Sequence, residues 1–127
     1  MPSKRRSAPR TPPADPPRLS ALIRQGATRR PQCFYDYFSA SGGSCALGAA
    51  MEARTGSTNV RRGLEALGAE LPALFSTDNL LTCPLDRHEV DGRLRRFLGL
   101  SGLIAHLNNE HGLARERIAD WLDSLGL

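Results

Sequence analysis

The chain has 127 residues, 40% of them hydrophobic, and a formal net charge of +4. This length supports a single domain with one modest core. No apolar run follows the basic N-terminus, so we expect neither a signal peptide nor a membrane span. Three widely separated cysteines, an odd number, argue against a disulfide framework and favour a cytoplasmic protein with reduced thiols.

The positive charge is concentrated near the N-terminus. Residues 1–30 hold eight basic side chains against one acid, a net +7, whereas the remaining chain holds nine arginines against twelve acids. Six of the nine prolines precede Arg18. Because proline prevents helix formation and charge prevents burial, residues 1–17 are predicted to be a disordered Pro/Arg-rich basic tail. Residues 18–127 are predicted to form a single helical domain.

The first half of this domain predicts two helices with an apolar segment between them. Arg18–Gln25 places leucines and an isoleucine on one face and precedes Gly26, which predicts a short helix that Gly26 ends. Cys33–Phe38 is rich in aromatic residues and is compatible with either a short strand or a helical turn. Ser44–Arg54 is rich in alanine and predicts a closely packed helix with Ser44 at its N-cap.

The second half predicts four more helical segments. Val60–Leu67 and Leu71–Phe75 are expected to be two shorter helices separated by Gly68. A loop over Ser76–Glu89 and a basic, irregular connection over Val90–Arg96 should follow. Two amphipathic helices are then predicted around the turn at Gly112, with apolar residues at Leu100, Leu103, Ile104 and Leu107 before it and Leu113, Ile118, Trp121, Leu122 and Leu125 after it.

These elements together predict an all-α fold, a small orthogonal helical bundle that leaves room for one short β element. The apolar positions with helical spacing define the expected core. Its members are Leu22, Phe34, Leu47, Leu67, Leu103, Ile104, Leu107, Ile118, Trp121 and Leu122.

Three segments resemble a group of small bacterial and phage proteins. These are the CALGA stretch at Cys45–Ala49, the Cys83-Pro84 loop, and a closing segment similar to HLND-x-H-x-W-[ST]-R-E-x-IA-x-WL. The closing segment matches at His106, Leu107, Asn108, His111, Arg115, Glu116, Ile118, Ala119, Trp121 and Leu122. The resemblance brings no established activity. This chain departs from the group because no second cysteine follows Cys83 within four residues.

One set of side chains is suited to a metal ion. Zinc takes four nitrogen or sulfur ligands, and two histidines five positions apart can share an ion where a helix ends between them. The candidate ligands are Cys83, His88, His106 and His111. Since the second loop cysteine is missing, we expect no cofactor, with zinc at these four residues as the alternative.

No motif predicts catalysis, and Cys45, within an alanine-rich helix, is expected to be an inert buried thiol. We therefore expect a small non-enzymatic regulatory or accessory protein that binds nucleic acid or a nucleoprotein complex through its basic N-terminal tail and the basic residues that follow it. These are Lys4, Arg5, Arg6, Arg10, Arg18, Arg29 and Arg30. The alternative is a protein-binding module, such as a phage-encoded inhibitor or adaptor of a host complex. Neither a membrane nor a small-molecule substrate is indicated.

A DNA-reading helix is disfavoured. The last amphipathic segment carries Arg115 and Arg117 but also three acids, so its outer face is predicted to be nearly neutral. Phosphate contacts require positive charge.

Overall fold

The structure is a computed structural model that describes residues 17–86, 89–90, 93–94 and 97–127. Of the predicted tail, only Pro17 belongs to this range. The described chain is mostly helical, as the sequence predicts, with five α-helices and one 3-10 turn at Pro72–Phe75. The helices are α1 (Leu19–Ala27), α2 (Ala46–Thr55), α3 (Val60–Glu70), α4 (Leu100–Asn109) and α5 (Arg115–Ser124). None of the helices in this range is both long and apolar enough to cross a bilayer.

Small residues allow α1 and α2 to lie backbone against backbone. A Cβ atom added to Gly26 would lie 1.8 Å from the carbonyl oxygen of Ala49. A Cβ atom on Gly48 would lie 2.1 Å from the carbonyl oxygen of Tyr37, so the loop before α2 approaches just as closely. No side chain larger than hydrogen fits at such distances. The predicted close packing of the alanine-rich helix is therefore confirmed.

Several predicted boundaries differ from the structure. Gly26 does not end α1, which continues to Ala27, because its role is the close contact with α2. Cys45, and not Ser44, is the N-cap of α2, and its sulfur accepts a hydrogen bond from the Gly48 N–H. Gly68 lies inside α3 and separates no helices.

In the described part of the chain, four short strands precede α4. β1 (Leu81–Thr82) pairs antiparallel with β4 (Phe97–Leu98), and β2 (Glu89–Val90) pairs antiparallel with β3 (Arg93–Leu94). The prediction of an irregular connection over Val90–Arg96 is therefore wrong at residues 90, 93 and 94, and its other residues lie outside the described ones. An Asp-Gly dipeptide separates the paired residues Val90 and Arg93 in the sequence, and this is a strong signal for a two-residue hairpin loop.

The core is confirmed at most of its predicted positions. The buried ones are Leu22, Leu47, Leu67, Leu103, Ile104, Leu107, Ile118 and Leu122. The prediction is wrong for Phe34, which is 44% exposed because the segment around it forms bends and isolated β-bridges instead of a strand or helix with a buried face. Trp121 is only partly buried and packs against the edge of the core.

Two buried polar side chains join α4 and α5 to the loop between α1 and α2. Asn108 of α4 accepts hydrogen bonds from Gln32 and from the Ala46 N–H, and its amide donates to the Cys33 carbonyl and the Asn109 side chain. Arg115 donates to carbonyl oxygens of Ala27, Arg30 and Ser44, and to the Ser44 hydroxyl. The prediction that Arg115 lies on an outer face is thus wrong.

Candidate metal centre

Four side chains with metal-binding atoms meet beside the C-terminus of α4. They are Cys83, Asp86, His106 and His111, and their ligand atoms all lie within 4.8 Å of one another. Cys83 directly follows β1, whose pairing with β4 holds it beside the chain that leads into α4. Within the described residues this is the one such group of three or more His, Cys, Asp or Glu side chains.

The end of α4 brings the two histidines together. Residues five apart on a continuous helix point in directions that differ by about 140°. Here α4 ends at Asn109, and Gly112 adopts a left-handed φ of +59° that turns the chain. The N–H of Leu113 then bonds the carbonyl of Leu107 at 3.0 Å. His111 therefore leaves the helical path and faces His106, as the predicted helix end between them requires.

The distances converge on one point instead of forming separate pairs. The Nε2 atom of His111 lies 3.5 Å from Cys83 Sγ, 2.7 Å from Asp86 Oδ1 and 3.1 Å from His106 Nε2. His106 Nε2 is also 3.1 Å from the same Asp86 oxygen. The two imidazole rings meet edge to face, with their planes at 86°. Four electron-pair donors thus surround a small common volume.

This arrangement fits a tetrahedral zinc ion. Zinc–sulfur bonds of about 2.3 Å and zinc–nitrogen or zinc–oxygen bonds of about 2.0–2.2 Å place neighbouring ligand atoms roughly 3.3–3.6 Å apart. Three of the four separations given above, 3.1, 3.1 and 3.5 Å, are near this range, the 2.7 Å contact is shorter, and no two ligand atoms are more than 4.8 Å apart. A thiolate and a carboxylate would neutralise the two charges of the ion.

Burial and hydrogen bonding act differently on the two acidic ligands. Burial raises the pKa of the Cys83 thiol, although the N–H of Leu85 donates to its sulfur at 3.4 Å and opposes this effect. Burial also raises the pKa of Asp86, but hydrogen bonds with His106 and His111 outweigh burial and hold that pKa below its ordinary range. Asp86 is thus a carboxylate, and a coordinated cation would likewise favour the thiolate of Cys83.

A second carboxylate faces the far side of His106. Nδ1 of His106 is 3.4 Å from an oxygen of Glu110, one helical turn later. With an ion in place of the hydrogen bond between Nε2 and Asp86, the Glu110 carboxylate would accept the proton on Nδ1 and leave the lone pair of Nε2 for the ion. The imidazole is therefore oriented for coordination through Nε2.

The structure brings together three of the four predicted ligands. Cys83, His106 and His111 meet, whereas His88 lies outside the described residues. Sequence reasoning missed Asp86 because it considered only cysteine and histidine in the loop. The available signal was the spacing, since Cys83 and Asp86 are separated by two residues, as are the cysteines of a Cys-x2-Cys knuckle.

The structure describes only three of the seven residues that are predicted to contact nucleic acid. Lys4, Arg5, Arg6 and Arg10 lie outside the described residues, and Arg18 is exposed before α1. Arg30 binds both carboxylate oxygens of Glu52, and Arg29 donates to the Glu52 carbonyl. Arg30 is therefore paired with a carboxylate, whereas Arg29 is exposed and donates only to a backbone carbonyl.

Comparisons of the chain with protein-family models, with curated proteins and with solved structures found no match. The resemblance to the bacterial and phage group therefore remains a prediction.

Proposed function

We propose that this protein is a small non-enzymatic binding domain stabilised by one zinc ion at Cys83, Asp86, His106 and His111. The observation that carries the proposal is the convergence of four ligand atoms, from two separate parts of the chain, within 4.8 Å. Four protein ligands fill a tetrahedral zinc shell, which is the arrangement of structural sites, whereas catalytic sites keep one position open. Such an ion would fasten the loop after β1 to the end of α4.

A cysteine-based catalytic triad is the competing explanation of the same residues. In a triad, the base contacts the nucleophile through one ring nitrogen and the orienting acid through the other. Here a single nitrogen, Nε2 of His111, faces both Cys83 and Asp86. The raised pKa of Cys83 also opposes formation of a nucleophilic thiolate. The geometry thus favours metal coordination.

Titration with cobalt(II) tests this proposal. Tetrahedral cobalt absorbs visible light, and a thiolate ligand adds a charge-transfer band in the near ultraviolet. We expect one cobalt ion to bind per chain, with both features present. Cys83→Ser should remove the charge-transfer band, while Cys33→Ser, a matched change at another buried thiol, should retain it. Wild-type protein without the tetrahedral spectrum would contradict the proposal.

Contact with nucleic acid through the N-terminal segment is a second candidate function. It is supported by the net charge of +7 over residues 1–30. Since Arg30 is paired with the Glu52 carboxylate, we narrow the proposed contacts to Lys4, Arg5, Arg6, Arg10, Arg18 and Arg29. Such contacts bind phosphates without reading sequence. The free thiols are compatible with the cytoplasmic location that we propose.

The salt dependence of DNA binding tests this second function. Replacing Lys4, Arg5, Arg6 and Arg10 by glutamine should reduce the slope of log K against log salt by about 3–4, since each phosphate contact contributes about 0.9. Replacing the exposed arginines of α3, Arg61 and Arg62, is the control and should leave the slope unchanged. An unchanged slope in the quadruple variant would show that residues 4–10 make no phosphate contacts.

A further inference from the structure

A cleft of about 460 Å³ opens beside α4, apart from the metal centre. Residues 35–37 line it, together with small or short side chains of α4, namely Ser101, Gly102, Ala105 and Asn109. Cys45 and Leu47 also line the cleft. Its volume falls within the range of about 300–1,000 Å³ typical of ligand pockets.

Tyr35 adopts a backbone conformation that is unfavourable for its type. Its φ of +68° is the only positive value among the described residues other than glycine. The N–H of Tyr35 donates to the Asn109 side chain at 2.8 Å, which fixes this conformation. Tyr35 is nevertheless 72% exposed, next to Phe34 at 44%. Strain that places an aromatic side chain in solvent is not explained by packing, and strained residues of this kind cluster at ligand-binding sites.

The charge of the cleft indicates what it would bind. Asp36 is the one carboxylate in the lining, and it has no ion-pair partner in the described part of the chain. Among the described residues, no lysine or arginine lines the cleft. The carboxylate attracts cations by its charge, and the faces of the two flanking tyrosine rings attract guanidinium groups as well. The same carboxylate repels phosphate, which argues against a nucleic-acid ligand at this site.

We propose that this cleft binds an arginine side chain of a partner protein, with the guanidinium between Asp36 and the rings of Tyr35 and Tyr37. A planar guanidinium both stacks on aromatic rings and pairs with a carboxylate, whereas an ammonium group lacks the planar surface. The small residues of α4 leave room for the backbone of the partner. This site lies outside the metal ligands and adds a second binding activity to the domain.

The test is fluorescence anisotropy with a labelled peptide of glycine, serine and arginine, and with a matched peptide in which citrulline replaces each arginine. We expect the arginine peptide to bind at least tenfold more tightly. Asp36→Asn should weaken its binding about tenfold. Phe75→Ala and Asp78→Asn change an exposed aromatic and an exposed acid elsewhere, and both should leave binding unchanged.

Tyr35→Gly separates recognition from folding. Glycine accepts positive φ without strain, which offsets the entropy that it adds to the unfolded chain, so this variant should be about as stable as the wild type, yet it should lose about tenfold in affinity. All variants should still bind one cobalt ion, which keeps this test independent of the metal proposal. Equal binding of the citrulline peptide, unchanged affinity of Tyr35→Gly, or no binding of the arginine peptide at millimolar concentration would each overturn the inference.

Discussion

Replacing His106 by alanine is expected to abolish metal binding and to lower the free energy of unfolding by about 4 kcal/mol when free zinc exceeds its dissociation constant a thousandfold. The reason is that a ligand bound only by the folded state stabilises that state by mass action. For a domain of this size, the loss corresponds to a decrease on the order of 15 °C or more in the unfolding temperature. Differential scanning calorimetry of both proteins in zinc-containing buffer measures it.

Excess chelator is the control for this prediction. His106 is itself buried, so its removal also changes packing. If zinc accounts for the difference, chelator should lower the stability of the wild type toward that of His106→Ala and should leave the variant unchanged. A stability difference that persists undiminished in chelator would assign the effect to packing alone.

Asn108→Leu is expected to cost about 2–5 kcal/mol of unfolding free energy. The substitution would remove the Asn108 amide, which is the hydrogen-bond partner of both the Ala46 N–H and the Cys33 carbonyl. Each buried polar group left without a hydrogen bond costs about 1–3 kcal/mol. Leucine has a similar size, so the loss of hydrogen bonds should exceed the change in packing. Urea denaturation followed by circular dichroism measures the midpoint and slope.

Asn79→Leu is the matched control, because Asn79 is exposed and should tolerate the change within about 0.5 kcal/mol. A small effect of Asn108→Leu, comparable to that of the control, would mean that the loop over residues 32–46 does not depend on Asn108. The expected large effect would instead establish that α4 positions this loop.

The sequence was most informative where apolar spacing and helix signals agreed. The pattern at Leu103, Ile104 and Leu107 predicted a helix face that is indeed buried. The prediction that Phe34 is buried was wrong, because the segment around this aromatic residue has no periodic pattern from which burial could be predicted. Arg115 could not be recognised as buried, since its partners are backbone carbonyls that only the tertiary fold brings together.

The candidate metal centre was partly accessible from sequence. Spacing and residue type identified Cys83, His106 and His111, and the turn at Gly112 explained how two histidines five positions apart could meet. Asp86 was missed because carboxylates are common in loops. A single loop aspartate does not indicate a metal site unless the fold shows which other ligands lie beside it. The positive φ of Tyr35 could not be predicted either, because nothing in the sequence indicates that conformation at a tyrosine.

Elemental analysis of the full chain, purified without chelator, tests the central claim most directly. We expect about one zinc ion per chain in the wild type and in Cys33→Ser, and none in His106→Ala or His111→Ala. Wild-type protein that contains no metal, and whose unfolding temperature responds to neither added zinc nor chelator, would contradict the account.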